Sequence, residues 1–368
     1  MADRFNNRIL VAPLDWGLGH STRCIPIIKH LQFAGCEVII AADGTQKALL
    51  EKEFPTAAFV KLDGYRIEYT NSKRFLAAKI LVQLPKLYKA ARNERKWLSS
   101  VIQEKGITAV ISDNRYGLYH PTTTCVFITH QLVIKAPFTI AEKILQKINY
   151  YFISRFSSCW VPDAEGKINL AGLLSHPKSL PQIPVKYIGV LSRFENITAT
   201  AFTYNCLIIL SGPEPQRTAL ENKMIHQLKT FEGKVMLVRG LPGVADSLPA
   251  IEGVVINNHL SSVEMEAAFN ESEFIVGRTG YTTVMDICKL YKKSILIPTP
   301  GQTEQEYLAK HLSEQGFCLT AQQHDFNLKV LIEKAKGYHF KFPNLSMDTY
   351  KKVVEDFASQ LAPAKHQT

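Results

Sequence analysis

Short apolar runs alternate with segments of helical periodicity along the whole chain. Arg8 to Pro13 reads as a strand, Thr22 to Ala34 as an amphipathic helix and Glu37 to Ala42 as a second strand, together a βαβ unit. Further strand-like runs follow at Ala58 to Leu62, Ala109 to Ser112, Val126 to Thr129, Cys159 to Val161 and Lys186 to Ile188. Gly189 to Tyr204 holds few apolar positions, after which a fresh strand opens at Leu207 to Leu210 and a helical segment runs from Gln216 to Lys229. The pattern repeats through Lys234 to Val238, Val254 to Ile256, Phe274 to Val276 and Ser294 to Ile297. A last strand-like piece lies near Phe317 to Leu319, and a final helix covers Met347 to Leu361. Strands alternating with helices predict parallel, doubly wound sheets. The apolar-poor stretch predicts two domains, 1–195 and 196–368, with the last helix able to pack on either. Ligands of open α/β sheets bind outside the carboxyl ends of the strands, so chemistry is expected of polar residues at strand ends.

The length of 368 residues agrees with two domains, and a composition of 46% hydrophobic and 21% charged residues is that of a soluble globular protein. The seven cysteines, Cys24, Cys36, Cys125, Cys159, Cys206, Cys288 and Cys318, stand singly without metal-ligand spacing, which predicts reduced, buried thiols. Met1 to Asn7 lacks the pattern of a signal peptide, and no apolar run approaches the ~18–20 residues of a spanning helix. A cytoplasmic location is the expectation. A net charge of +10 calls for an acidic partner. Between Lys73 and Lys96, eight basic residues (Lys73, Arg74, Lys79, Lys86, Lys89, Arg92, Arg95, Lys96) face one acid, Glu94. They are interleaved with apolar residues up to Trp97. Such a basic amphipathic stretch suits an anionic membrane surface; an ordinary surface helix is the alternative, and Pro85 is expected to interrupt a single long helix. No aromatic platform or recognition motif supports nucleic-acid binding.

The first strand ends in Asp15-Trp16-Gly17-Leu18-Gly19-His20-Ser21-Thr22-Arg23, a glycine-containing turn opening a helix, where amide groups and the helix N-terminus favour an anion. A plain helix-start turn explains much of it, but not His20, an imidazole at a strand end and a candidate general base. Ala109 to Ser112 ends in Asp113-Asn114-Arg115, and Val126 to Thr129 ends in His130-Gln131. The first cluster is a crevice site or a structural ion pair, and His130 a site residue or a half-buried histidine. In the second half, Ser211-Gly212-Pro213-Glu214-Pro215-Gln216-Arg217 is a second turn suited to phosphate. Gly277-Arg278-Thr279-Gly280-Tyr281 precedes a helix that aims N–H groups at a diphosphate, with Asp286 six residues past Gly280 where a carboxylate can accept from a ribose diol. Pro298-Thr299-Pro300-Gly301-Gln302-Thr303-Glu304-Gln305 opens another helix, where Glu304 and Gln305 can meet sugar hydroxyls or simply complement the helix dipole.

Taken together these residues resemble the GT-B glycosyltransferases, and among them the family 28-like branch of the undecaprenyl-linked peptidoglycan N-acetylglucosaminyltransferase. The resemblance spans nearly the whole chain and is strongest from Phe274 to Ala309. It implies an α/β GT-B fold of two Rossmann-like doubly wound parallel-sheet domains facing a central cleft, the first binding the acceptor and the second the donor. It also implies transfer of a sugar from a nucleoside-diphosphate sugar, of UDP type, to an acceptor hydroxyl, lipid-linked or on a cell-envelope glycan. Inversion, independence of metal, no cofactor, and a peripheral position at the inner face of the cytoplasmic membrane complete the expectation. A nucleotide-sugar epimerase or hydrolase of the same fold, or a non-catalytic nucleotide-sugar-binding subunit, is the alternative.

Carried over by position, Thr279 and Gly280 look like diphosphate contacts and Asp286 like the ribose-binding acid, usually Glu in the family; in the implied reaction Arg278 is a candidate cation for the leaving diphosphate. Glu304 and Gln305 fall on a Gln-Gln pair that holds sugar hydroxyls. Ser211 and Gly212 match a phosphate loop that is Gly-Gly-Ser in the family, Arg217 stands for a following Gly-Ala-Arg, and Leu260 falls where backbone reads the base. Gly17-Leu18-Gly19-His20 resembles a Gly-Gly-His loop whose histidine is a candidate base; Asp113 is the other candidate. Gly17, Gly19, Ser21, Asn114, Arg115 and His130 are expected on the acceptor and phosphate-loop side, although the Asp113 to Arg115 cluster has no counterpart in the family pattern.

Overall fold

The computed structural model describes residues 7–65, 73–136, 138–195, 201–244 and 250–361, with side chains left out at 73–85 and 87. The chain divides into two compact units. The first takes the chain up to Asp15, His20–Leu191 and everything from Leu345 on; the second takes Trp16–Gly19 and Ser192–Asn344.

The first unit is built on β1 (Arg8–Pro13), β2 (Glu37–Ala41), β3 (Ala58–Val60), β4 (Ala109–Asp113), β5 (Thr124–Ile128), β6 (Ser158–Val161) and β7 (Val185–Tyr187), a seven-stranded sheet in the order β3-β2-β1-β4-β5-β6-β7. Every pairing is parallel. Ile9, Leu10, Val11 and Ala12 are fully buried, as are Val110, Ile111, Val126 and Phe127. A strand covered on both faces must be apolar on both, which is why these strands appear in the sequence as unbroken hydrophobic runs. The helices are α1 (Leu18–Phe33), α2 (Gly44–Glu53), α3 (Lys73–Lys105) and α4 (Thr139–Ile153).

Two of these helices differ from expectation. α1 begins at Leu18 rather than near Thr22, because Gly17 takes a left-handed conformation (φ +79°) and turns the chain into the helix at once. Gly19, His20 and Ser21 therefore lie in its first turn. α3 runs unbroken through Pro85. An interior proline costs about 3 kcal/mol, and burial of Ala91, Leu98 and Val101 further along the same helix works against that cost.

The second unit holds β8 (Tyr204–Ile209), α5 (Gln216–Leu228), β9 (Val235–Val238), β10 (Val254–Asn257), α6 (Ser262–Asn270), β11 (Ser272–Gly277), α7 (Tyr281–Lys289), β12 (Lys293–Leu296), α8 (Thr303–Glu314), β13 (Leu319–Thr320) and α9 (Leu328–Lys336). Its six-stranded sheet has the order β10-β9-β8-β11-β12-β13, again wholly parallel. A last helix, α10 (Thr349–Gln360), belongs to the first unit. There Phe357 meets Trp160 edge-on with ring centroids 5.3 Å apart, Asn7 donates to the Ala358 carbonyl at 3.3 Å, and His30 Nε2 lies 2.8 Å from Glu355.

In both sheets the chain winds outward from the middle in two directions, so the strand order reverses between β1 and β4 and between β8 and β11. The loops leaving adjacent strands at such a reversal part company and open a crevice for ligands. Phe357 is 7% exposed, and removing its ring should leave a cavity against Trp160. Phe357→Ala is expected to cost the first unit about 3 kcal/mol in chemical denaturation followed by tryptophan fluorescence. An unchanged midpoint would mean that α10 contributes little to that unit.

Candidate active site

At the reversal in the first sheet, Pro13 of β1 stands in register with Asp113 of β4. Asp113 has no solvent exposure. His20, from the first turn of α1, places Nδ1 2.8 Å from Asp113 Oδ2. Arg23, one turn further along α1, donates from Nε to the same oxygen at 2.8 Å and from Nη2 to Asp113 Oδ1. Burial alone would push the Asp113 carboxyl up, but the Arg23 guanidinium and His20 outweigh it and hold it below the usual range. Burial, then Arg23, press the His20 ring toward its neutral form, against the opposing pull of Asp113. The result is an imidazole held at Nδ1 by a charged carboxylate, the arrangement that orients a general base.

The neighbouring candidates occupy other positions. His130 is buried and its Nδ1 lies 3.2 Å from Arg23 Nη1. Ser21 is also buried, its hydroxyl without a partner among the described residues. Asn114 takes a left-handed conformation (φ 56°) and donates its backbone N–H to Ile128 at 3.1 Å, which makes it the turn residue ending β4. Arg115 departs from the phosphate-loop expectation: it is 1% exposed, its Nε binds Glu94 Oε1 at 2.7 Å, and its remaining nitrogens reach the carbonyls of Pro13 and Asp63. Glu94 also accepts from Tyr65 at 2.6 Å and from the Gly117 N–H at 3.0 Å. Arg115 thus belongs to a buried structural network.

At the reversal in the second sheet, Ile209 of β8 is in register with Gly277 of β11. Ser211 and Gly212 leave the first strand, and Arg278, Thr279 and Gly280 the second. Gly212 has φ +104°, and a Cβ there would come within 3.7 Å of Thr299 Oγ1, so the loop after β12 belongs to the same pocket of backbone. Gly280 caps α7 with no side chain. Arg278 is 1% exposed, donating to the Gln216 carbonyl at 2.8 Å and to the Ile297 and Pro298 carbonyls at 3.4 Å; burial lowers its pKa to about 10. Arg278 Nε, Thr279 Oγ1 and Thr299 Oγ1 have no hydrogen-bond partner among the described residues. Three such groups beside an uncapped helix N-terminus form a locus short of acceptors, each orphan costing about 1–3 kcal/mol.

Gln305, near the start of α8, accepts the Thr299 N–H at 2.9 Å through Oε1, while Glu304 is half-buried beside it. Leu260 is buried just ahead of the capping box that begins α6 at Ser261. Two candidates differ from expectation. Arg217 is taken up by Glu214 at 2.6 Å and Glu221 at 2.8 Å, so a phosphate would compete with two carboxylates. Asp286 accepts from Ser192 Oγ at 2.6 Å and faces Arg193 Nε at 3.9 Å; burial raises its pKa to about 6. The carboxylate meant for a ribose diol is engaged with residues 192 and 193.

Sequence reading missed Arg23 and Thr299. Arg23 carried a signal, the i,i+3 spacing from His20 on one helix. Thr299 stands just past the strand Ser294 to Ile297, a strand-end position, but its neighbour Gly212 is distant in the chain.

Comparison with known proteins bears on both units. Residues 258–361 match the glycosyltransferase family 28 C-terminal domain. A UDP-N-acetylglucosamine--N-acetylmuramyl-(pentapeptide) pyrophosphoryl-undecaprenol N-acetylglucosamine transferase from Caldanaerobacter subterraneus is 27% identical over 38% of this chain and 41% of its own length. An uncharacterized glycosyltransferase from Methanosarcina acetivorans is 23% identical over 84% of this chain and 82% of that protein. The first curated relatives are matched over less than half of their length, 41% and 47%. Among solved structures, the spinosyn rhamnosyltransferase SpnG superposes with a TM-score of 0.61 at 14% identity, covering 97% of this chain and 98% of that one. The same enzyme complexed with thymidine diphosphate gives 0.56. The fold is that of the GT-B glycosyltransferases. Within that class, the chain carries a glycosyltransferase family 28 C-terminal domain and resembles the family 28 enzymes.

Arg115→Met would leave Glu94 buried without its cation. The expected loss is about 3–5 kcal/mol of stability in urea unfolding. A loss below about 1 kcal/mol, the range of an exposed pair, would return Arg115 to the list of candidate ligand-binding residues.

Proposed function

We propose that the chain transfers a sugar from a nucleoside-diphosphate sugar, of UDP type, to an acceptor hydroxyl with inversion and without a metal. The observation that carries this reading is the His20–Asp113 pair at the strand-order reversal of the first unit. With its Nδ1 proton directed to Asp113, the ring offers Nε2 as the base. Nε2 takes the acceptor O–H proton as that oxygen bonds to the anomeric carbon. The bond from that carbon to the diphosphate breaks, and its electron pair leaves on a phosphate oxygen. A single displacement of this kind inverts the anomeric centre.

The donor side is supported by the orphaned donors of the second unit. The uncapped N-terminus of α7, Thr279 and Arg278 suit a diphosphate, whose growing negative charge they would neutralise. Gln305, with Oε1 bound to the Thr299 N–H, has its amide nitrogen left for a sugar hydroxyl. The family 28 match over residues 258–361 and the thymidine diphosphate bound to the SpnG structure favour the same ligand class.

The acceptor side is read as lipid-linked, with the first unit resting on an anionic membrane. Lys86, Lys89, Arg92, Arg95 and Lys96 are exposed on α3; the rest of the basic stretch, residues 73–85, falls outside the described side chains. On α4, Ile140 (74% exposed), Ile144 and Tyr151 face solvent alongside Lys143 and Lys147. Arg95 of α3 and Arg155 just past α4 both stack on Tyr119, which makes the two surfaces continuous. Exposed aliphatic groups among lysines are the composition of an interfacial helix.

Four measurements test these statements. Nucleoside diphosphates, UDP first, should raise the melting temperature, since a ligand that binds only the native state stabilises it; no response to any of UDP, GDP or dTDP would remove the donor site. His20→Ala should lower turnover by about 10²–10⁴-fold, with the acid limb of kcat/KM in the wild type below the ordinary histidine value of 6.5 because the ring resists protonation. A loss under about tenfold would strip His20 of the base role. Sugar released from the donor at full rate without any acceptor would point instead to a hydrolase. Finally, Ile140→Asp with Ile144→Asp should abolish flotation with phosphatidylglycerol vesicles and leave the melting temperature unchanged. Equal flotation of wild type and variant contradicts docking through α4.

A further inference from the structure

Arg23 is 2% exposed, and its guanidinium touches the other titratable groups of the first-unit site. Nε and Nη2 hold the two oxygens of Asp113, Nη2 also lies 2.8 Å from His20 Nδ1, and Nη1 lies 3.2 Å from His130 Nδ1. A guanidinium only donates, so His130 Nδ1 is the acceptor in this contact. His20 Nδ1 is in a different position. It has a pure donor, Arg23 Nη2, and a pure acceptor, Asp113 Oδ2, both at 2.8 Å.

One nitrogen cannot satisfy both. If Nδ1 accepts from Arg23, the ring proton sits on Nε2 and the base is lost. If Nδ1 carries the proton, it makes a charge-assisted bond to the carboxylate and leaves the Nε2 lone pair open. The second form is favoured, because Arg23 Nη2 keeps its own acceptor in Asp113 Oδ1, whereas the first form sets a lone pair against the Asp113 carboxylate with no proton between them. It is available only while Asp113 is kept charged and turned toward the ring.

We infer that Arg23 is a positioning residue of this site: its two-oxygen clamp orients Asp113 toward His20 Nδ1, so that the ring proton lies on that nitrogen and Nε2 is open to receive another. Among the described residues, the charged and titratable groups facing the ring are Arg23, Asp113 and His130, and the Cys24 thiol faces Asp113 at 3.9 Å. Arg23 and, less strongly, His130 oppose protonation of His20, and of these two it is Arg23 that also holds the carboxylate beside the ring nitrogen. The inference rests on the reading of His20 as the base, yet its consequences are visible in the protein without substrate.

The test is a nuclear magnetic resonance titration of the His20 ring in the full chain, with its signals assigned by comparison with His20→Gln. In the wild type the ring nitrogens near neutral pH should show a protonated Nδ1 and an unprotonated Nε2; a proton on Nε2 overturns the inference without any variant being made. Arg23→Gln removes the charge and should raise the titration midpoint of His20 by about one pH unit or more, since the Asp113 carboxylate then acts on the ring unopposed. Arg23→Lys keeps the charge and should stay within about half a unit of the wild type. A midpoint unmoved in the Gln variant, or moved equally in both, overturns the inference. Nucleoside-diphosphate affinity measured on the same samples should be unchanged, so failure of the donor reading and failure of this one give different results.

Discussion

The Asp113 carboxylate is the constraint around which the first unit is arranged. It ends a central strand at a point of complete burial, where a lone charge would be driven to neutrality. It stays charged because α1 delivers two partners one turn apart, Arg23 and His20, to its two oxygens. That delivery depends on Gly17, whose left-handed turn starts α1 early enough for His20 to lie in the first helical turn. It also depends on the strand order, which puts β4 directly beside β1. The structural necessity and the geometry proposed for catalysis are therefore met by the same three side chains.

The second unit repeats the topology with the opposite imbalance. Its strand-order reversal gathers donors lacking acceptors: Arg278 bound only to carbonyls among the contacts seen, two buried threonine hydroxyls, and a helix N-terminus without a side-chain cap. A site that is short of negative charge is suited to an anion, whereas the first unit's site, internally neutralised, is suited to moving a proton. Under the proposed function, this contrast in charge assigns proton transfer to the first unit and donor binding to the second.

Much of this was legible in the sequence. Strands covered on both faces have to be apolar throughout, so they stand out as runs, and the glycine turns after β1 and β11 mark where the chain leaves them. His20 and Asp113 were both visible as candidates, but as rivals for one role rather than as a pair, because their 2.8 Å contact joins residues far apart in the chain. The same limit explains the differences at Arg115, Arg217 and Asp286. Each is occupied by a partner that local pattern does not reveal, such as Glu94 for Arg115 or Ser192 for Asp286. A charged residue at a strand end looks the same in sequence whether it awaits a ligand or already holds one of its own neighbours. α3 differed for a related reason, since a proline penalty is a local term and burial of the later turns is not.

A crystal structure of the chain with a nucleoside diphosphate bound tests the central claim most directly. The account predicts the diphosphate at the N-terminus of α7, between the Gly212 loop and Thr279–Gly280, with Arg278 and Thr279 among its nearest polar groups. A diphosphate bound elsewhere, with the N-terminus of α7 left empty at saturating ligand, would contradict it.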